Sequence, residues 1–439
     1  MNSRRYQKPM HAFLLLCALR LSVPAGVHDD WQVFDTTNSN LPGNAVSCLA
    51  RDSAGHIWAG TSGYGLLKFD SAWRLFTQQT MRLPDNFIQT IHVDAVNSVW
   101  VGTQSGGIAR YRTSWKVFTT SNCGLPSNNI TALRHDKNGT LVAGTGGGGL
   151  ALYNGYRWTV FDTANSPLSS NYISAVNVAH DNTYWIGQWL PRSPLNGELS
   201  LVRGAQWGVA SSRYANLPDA HAQVICELAA GATYIGWFQN GFSIATETFD
   251  TTIVSGNNLL HSNDVTCLLS RANGEIWIGT AEKGIAVVAG STWSYLHAGN
   301  TRLPAISGSR TIVTGMVEDA HGAVWVGTAH GGIAVYDTAH RYASMNAAPR
   351  KQKAISSIAI VVENEVMKIK SPARRSGTAE ISLVSGSGRI LYRGRGEFDR
   401  TSQWRIPLNS FRSHKILFAV VKETPSARSA QRIVALPSR

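Results

Sequence analysis

Charge is scarce in this chain: Asp, Glu, Lys and Arg make up 15% of its 439 residues, against 43% hydrophobic ones. A composition so poor in charge and so rich in apolar residues excludes a disordered polymer. No apolar run reaches the roughly 20 residues that a membrane-spanning helix needs. Cysteine is sparse as well. Five thiols in a chain of this length make no disulfide scaffold, and no Cys/His cluster has metal-ligand spacing. Sustained 3.6-residue periodicity is missing, which argues against a helical solenoid. There is no nucleophile elbow and no carboxylate pair that spacing alone brings together. Gly146–Gly149 is glycine-rich but opens no helix, so it is no phosphate cradle. These absences leave no catalytic residue, metal or cofactor to name.

What charge there is sits at the two ends. The net charge of +13 suggests nucleic acid until it is located. Residues 350–439 carry 18 basic and 6 acidic side chains, and residues 1–26 carry Arg4, Arg5, Lys8 and Arg20 with no acid. The long central part is mildly acidic, which argues against a phosphate-binding groove there. At the start, Arg4, Arg5 and Lys8 precede the apolar run Ala12–Leu19, and Val23-Pro24-Ala25 offers small residues for cleavage. Residues 1–25 therefore read as a signal peptide, and the mature protein as secreted or at the cell surface.

Glycine (41) and tryptophan (14) are plentiful, and both recur in one phrase. Trp58-Ala-Gly60-Thr61 returns as Trp100-Val-Gly102-Thr103, Val142-Ala-Gly144-Thr145, Trp185-Ile-Gly187-Gln188, Tyr234-Ile-Gly236-Trp237, Trp277-Ile-Gly279-Thr280 and Trp325-Val-Gly327-Thr328. Successive glycines lie 42, 42, 43, 49, 43 and 48 residues apart. Before each comes a turn and a strand phrase, as in Leu41-Pro42-Gly43-Asn44-Ala45-Val46. An Asp-x-x-Gly turn, as at Asp52–Gly55, Asp136–Gly139 and Asp319–Gly322, then supplies hairpin chemistry. After each come glycine, a short apolar run and Trp-x-Val/Leu-Phe. Four short strands per unit of 40–50 residues is the arithmetic of a β-propeller blade. The expected fold is all-β, a seven-bladed propeller of four-stranded blades over residues 26–345. Trp31–Phe34 precedes the first full unit and no such phrase follows Tyr336, so this strand should complete the last blade and close the ring.

The phrases Leu-Pro-x-Asn-x-Ile, Asp-x-x-Gly-x-Ile-Trp-x-Gly-Thr and Gly-Gly-Ile-Ala-x-Tyr-Asp resemble the two-component regulator propeller repeat. That resemblance implies a periplasmic or extracellular ligand-sensing domain, often for glycans, although no kinase or receiver segment follows here. A linker at 346–354 leads to residues 355–439, read as a small β-sandwich with strands Ile355–Val362, Val366–Ile369, Ala379–Val384, Arg389–Tyr392, Gln403–Ile406 and Ile416–Val421. Gly386-Ser387-Gly388-Arg389-Ile390-Leu391 and the closing Gln431-Arg432-Ile433-Val434 resemble the type IX secretion sorting domain, which implies secretion machinery as a partner. Ser371-Pro372 and Lys415–Phe418 depart from that family's pattern. The alternative is a basic sandwich that binds an acidic surface polymer.

Most motif residues have structural readings. The tryptophans at 58, 100, 185, 277 and 325 should pack between neighbouring sheets. The turn histidines His56, His321, His330 and His340 read as solvated. Cys48, Cys226 and Cys267 are read as small core residues at one repeat position, with a Cys226–Cys267 bridge the less favoured reading. Function is expected where the repeat breaks its own rule. Blade 4 spends Gln188 to Gly197 on what reads as a lengthened loop between its second and third strands, and blade 5 has Trp237-Phe-Gln239-Asn240 at the same place. Gln188, Trp189, Arg192, Trp237, Gln239 and Asn240 are therefore the candidate ligand contacts, with ring faces, amides and a guanidinium suited to sugars and carboxylates. The expected role is non-catalytic ligand binding; the alternative is a glycan-active hydrolase or lyase whose carboxylates converge from different blades.

Overall fold

The computed structural model describes residues 30–342, apart from 82, 192, 230, 248–249, 258–259, 307 and 309, together with seven strands of the C-terminal region. The expected signal peptide and linker lie outside the described residues. The described residues fall into two compact units, divided between 348 and 349. In the second, Ala359–Glu363, Val366–Lys370 and Gln403–Pro407 make one antiparallel sheet. Gly377–Ser385, Ile390–Phe398, Ile416–Thr424 and Ala430–Ala435 make another.

The first unit is a ring of seven four-stranded antiparallel sheets. Their first strands are Val46–Arg51, Ile88–Val93, Ile130–His135, Ile173–Val178, Ala222–Ala229, Val265–Ser270 and Val313–Glu318. Each touches the first strand of the next blade, and the last touches the first, so these strands surround the axis. The seventh blade takes its outer strand from the N-terminal side: Trp31–Phe34 pairs with Ile333–Tyr336, Trp31 opposite Tyr336.

Three residues of the repeat phrase explain why the blades fit. The Asp of the turn works twice. Asp52 Oδ1 accepts the Ala54 and His56 N–H groups, and its Oδ2 accepts the Trp58 indole N–H at 2.9 Å. Asp94 and Asp319 hold Trp100 and Trp325 likewise. Burial opposes ionisation of Asp52, Asp94 and Asp319, but these bonds outweigh it and hold all three below the usual carboxylate range. His56, expected among solvated turn residues, instead lies against Asp52, 2.8 Å from Oδ2. Blade 3 has Val142 in place of tryptophan, and the Tyr184 hydroxyl of blade 4 donates to Asp136 Oδ2 at 2.7 Å instead.

The glycine is required by close approach. Every first strand shifts register after its first residue, and the residue after that shift faces the glycine. A Cβ on Gly60 would lie 2.6 Å from Cys48 Sγ and 2.7 Å from Ile88 of the next blade; on Gly236 it would lie 2.5 Å from Val265. The threonine staples the following turn: Thr61 donates to the Gly65 carbonyl at 2.6 Å and accepts the Tyr64 N–H. The register corrects one expectation. Cys48 and Cys267 do sit opposite Gly60 and Gly279, but in blade 5 Val224 takes that place and Cys226 lies opposite Tyr234. All three thiols are free, and burial pushes each up to about 12.

Between blades, the phrase tryptophans are buried as expected: Trp58, Trp100, Trp185, Trp277 and Trp325 are all at most 5% exposed. Each hydrophobic cluster straddles two blades, as where Trp58, Leu66 and Phe76 meet Ile88, Ile91 and Val99.

Candidate ligand-binding rim

Where first strands begin and second strands end, each blade repeats one backbone bond. The residue after the Trp-x-Gly-Thr phrase donates its N–H to the carbonyl of the residue just before the first strand proper. The pairs are Ser62 with Ala45, Gln104 with Phe87, Gly146 with Asn129, Trp189 with Tyr172, Phe238 with His221, Ala281 with Asp264 and Ala329 with Ile312. Together they form a rim at one face of the ring. Only in blades 4 and 5 are both members of the pair ring-bearing.

Those four rings run continuously across the blade boundary. Tyr172 meets Trp189 edge-on, with centroids 5.0 Å apart; Trp189 lies 6.1 Å from His221, and His221 lies 5.9 Å from Phe238. Tyr172 is 37% exposed and the other three are half-buried, so the row is partly open to solvent. Burial lowers the His221 imidazole below its ordinary value, so at neutral pH the row carries no charge. Two carboxyls on blades 4 and 6 are shifted upward. Glu198, paired with Gln188 across blade 4, is raised by burial and by the charge of Asp219, against bonds from Ser169 and Ser200. Asp264, on the rim of blade 6, is raised by burial and by Glu282 despite a bond from Gln223. Among the described residues, no group of three or more His, Cys, Asp or Glu is placed to hold a metal ion.

The expected ligand contacts divide. Trp189 lies in the row. Gln188 is fully buried: its Oε1 accepts from the Ser169 and Ser170 N–H groups and its Nε2 donates to Ser200 Oγ at 2.8 Å. Trp237 is also fully buried, beside Trp185 and Tyr214, and donates to Ser243 Oγ at 2.6 Å. Neither has a polar atom or ring face left for a ligand. Gln239 is exposed, with φ of 60°, and Asn240 folds back onto the Phe238 carbonyl at 3.1 Å. Arg192 lies outside the described residues. The supposed blade 4 loop is a hairpin extension: Tyr184–Leu190 pairs with Ser193–Arg203 as far as Leu190 opposite Ser193. Continuing the ladder pairs backbone groups that a loop would leave to water.

Tyr172, His221 and Phe238 went unnamed from sequence. The available signal was the residue before each first strand, which reads Ala, Phe, Asn, Tyr, His, Asp and Ile around the ring. A depression of about 470 Å³ opens at the opposite ends of the first strands, among Arg51, Ser270, Glu318 and Asp319, away from these rings.

No curated protein matches the chain in sequence. Residues 40–63, one repeat, match the family described as two component regulator propeller. Among solved structures, the extracellular domain of the hybrid two component system BT3049 from B. thetaiotaomicron is similar, at 15% identity and TM-score 0.58, over 92% of this chain and 57% of that one. The extracellular domain of the one component system BT4673 from the same organism gives 16% and 0.55, over 90% and 52%. The chain thus spans little more than half of either domain. Virginiamycin B lyase from Staphylococcus aureus gives 12% and 0.54, over 70% of this chain and 98% of that one. Identities this low establish a shared fold and no shared activity, so what stands is a seven-bladed β-propeller that carries, at residues 40–63, a repeat of the two component regulator propeller type.

Proposed function

We propose that this chain is an extracellular, non-catalytic binding or sensing module whose ligand lies on the aromatic rim of blades 4 and 5. The observation that carries the reading is the continuous row Tyr172, Trp189, His221 and Phe238. Partly exposed rings in a row suit the apolar faces of sugar rings, while the carboxyls of Glu198 on blade 4 and Asp264 on blade 6 suit hydroxyl donors. A glycan is thus the ligand class favoured, and the sensing role agrees with the sensor-system domains of similar fold. The C-terminal unit is proposed to be the export address that hands the chain to secretion machinery, with a cell-surface or secreted destination.

A glycan array on the full chain tests the ligand. Trp189→Ala should weaken binding by about 1–3 kcal/mol, the range for a central aromatic contact, with little change in melting. Normal binding by that variant places the ligand elsewhere on the ring. The second reading, glycoside hydrolysis or elimination, is favoured by Glu198, a half-buried carboxyl held above its ordinary range beside Asp219. Turnover of a bound glycan that disappears in Glu198→Gln while binding persists would establish it.

A further inference from the structure

The aromatic row ends at Tyr172, and the rim beyond it, on blade 3, lies between two exposed rings. Phe87 on blade 2 is 49% exposed and Tyr172 on blade 4 is 37% exposed. Each ring rests on a glycine of the preceding blade. A Cβ on Gly63 would meet Phe87 Cζ at 3.0 Å, and one on Gly147 would meet Tyr172 Cε1 at 3.5 Å. Ser62 and Gly146 bridge to Phe87 and Tyr172 in the same way.

The rim pair of blade 3 is Asn129 with Gly146. In the place of Gly146 the other blades carry Ser62, Gln104, Trp189, Phe238, Ala281 and Ala329, so only this blade has no side chain there. A Cβ on Gly146 would lie 2.4 Å from Asn129 Nδ2. The Asn129 amide therefore takes the space that a side chain would fill, one residue along from the glycine under Tyr172. That amide is held at its oxygen only. Gln89, two residues beyond Phe87, donates its Nε2 to Asn129 Oδ1 at 2.9 Å. Asn129 is half-buried, and its Nδ2 has no hydrogen-bond partner among the described residues. A carboxamide fixed through its oxygen presents its two N–H hydrogens in a set direction.

We propose that the ligand is a linear oligosaccharide that runs lengthwise along the rim and crosses from Tyr172 onto blade 3, where Asn129 Nδ2 donates to an oxygen of a further sugar. Given the aromatic rim as the ligand site, on which this rests, rings 5.0–6.1 Å apart receive successive sugars and the amide meets the next one. A disaccharide seated at Trp189 stops short of Asn129, so affinity rises with chain length.

The full chain tests this by calorimetric titration with β-1,4-linked oligomers of glucose, xylose, mannose and N-acetylglucosamine, from disaccharide to hexasaccharide. In a series that binds, the hexasaccharide should bind more tightly than the disaccharide. Asn129→Leu keeps the outline of the amide and removes its donor. It should weaken the hexasaccharide about tenfold, the value of one lost hydrogen bond, and leave the disaccharide and the melting temperature near those of the parent. Trp189→Ala should weaken both lengths. Equal affinity for the two lengths in the unsubstituted chain, which depends on no variant folding, overturns the proposal and leaves the rim as the ligand site. So does an Asn129→Leu variant that binds the hexasaccharide normally or loses both lengths equally. No binding in any of the series overturns the glycan reading, and this proposal with it.

Discussion

Removing the Trp31 ring should cost more than removing any other fourth-strand tryptophan. Trp31 is fully buried, lies 5.3 Å from Tyr336 and 6.3 Å from Trp277, and ties blade 7 to blade 6. A buried indole covers about 150–250 Å², which at about 25 cal/mol per Å² gives about 4–6 kcal/mol. Its N–H has no partner among the described residues, an offset of about 1–3 kcal/mol. The net expectation for Trp31→Ala is about 3 kcal/mol, within the usual range for such truncations. Trp73, the corresponding residue of blade 1, is only half-buried and should cost less than half as much. Trp31→Phe removes the unsatisfied N–H with part of the volume and should lie close to the parent. Urea unfolding followed by circular dichroism measures all three. A midpoint for Trp31→Ala no lower than that for Trp73→Ala would refute the claim that this strand bears the closure.

Other consequences are equally direct. Gly236→Ala places a methyl 2.5 Å from Val265 and should destabilise by about 1–3 kcal/mol in the same assay, whereas Gly208→Ala, with open space around it, should not. Asp94 is held below its ordinary range when folded, so its contribution is complete above about pH 4, the unfolded value, and is lost as pH falls through the lower folded one. Trp100→Phe removes the strongest bond holding it there and should flatten the fall of stability between pH 5 and 2. Glu198 has the opposite sign: its folded pKa is raised, so stability is lost as pH rises from the unfolded value, and Glu198→Gln should melt higher than the parent at pH 7.

The ring was legible because its packing rules act on single residue types at fixed spacing. Glycine is forced where the next blade's first strand arrives, and Asp with Trp where a turn must be capped and covered. Those constraints recur in sequence at every blade, so period, strand count and the closing strand could all be read. The rim was only half legible. Trp189 stands out at a position that holds no ring outside blades 4 and 5, but its neighbours His221 and Phe238 come from the next blade, and their proximity is a property of the ring. Gln188 and Trp237 looked like exceptions awaiting a ligand. They are substitutes for the stapling threonine, and each finds a hydroxyl inside the protein, Ser200 or Ser243. Cys226 was misplaced for a related reason: counting from an apolar residue ignores the bulge, which decides what faces the glycine.

The closing strand also decides how the ring responds to force. Trp31 lies opposite Tyr336, and the Asp337 N–H bonds the Asp30 carbonyl at 2.7 Å, so the chain enters and leaves the ring at one point. Tension applied between those two positions pulls on one end of an antiparallel pair, whose bonds lie across the strands. Such a pair unzips bond by bond and never shares the load along its length. The ring is thus a strong object when heated, because every blade is held on both sides, and a weak one when drawn by its ends.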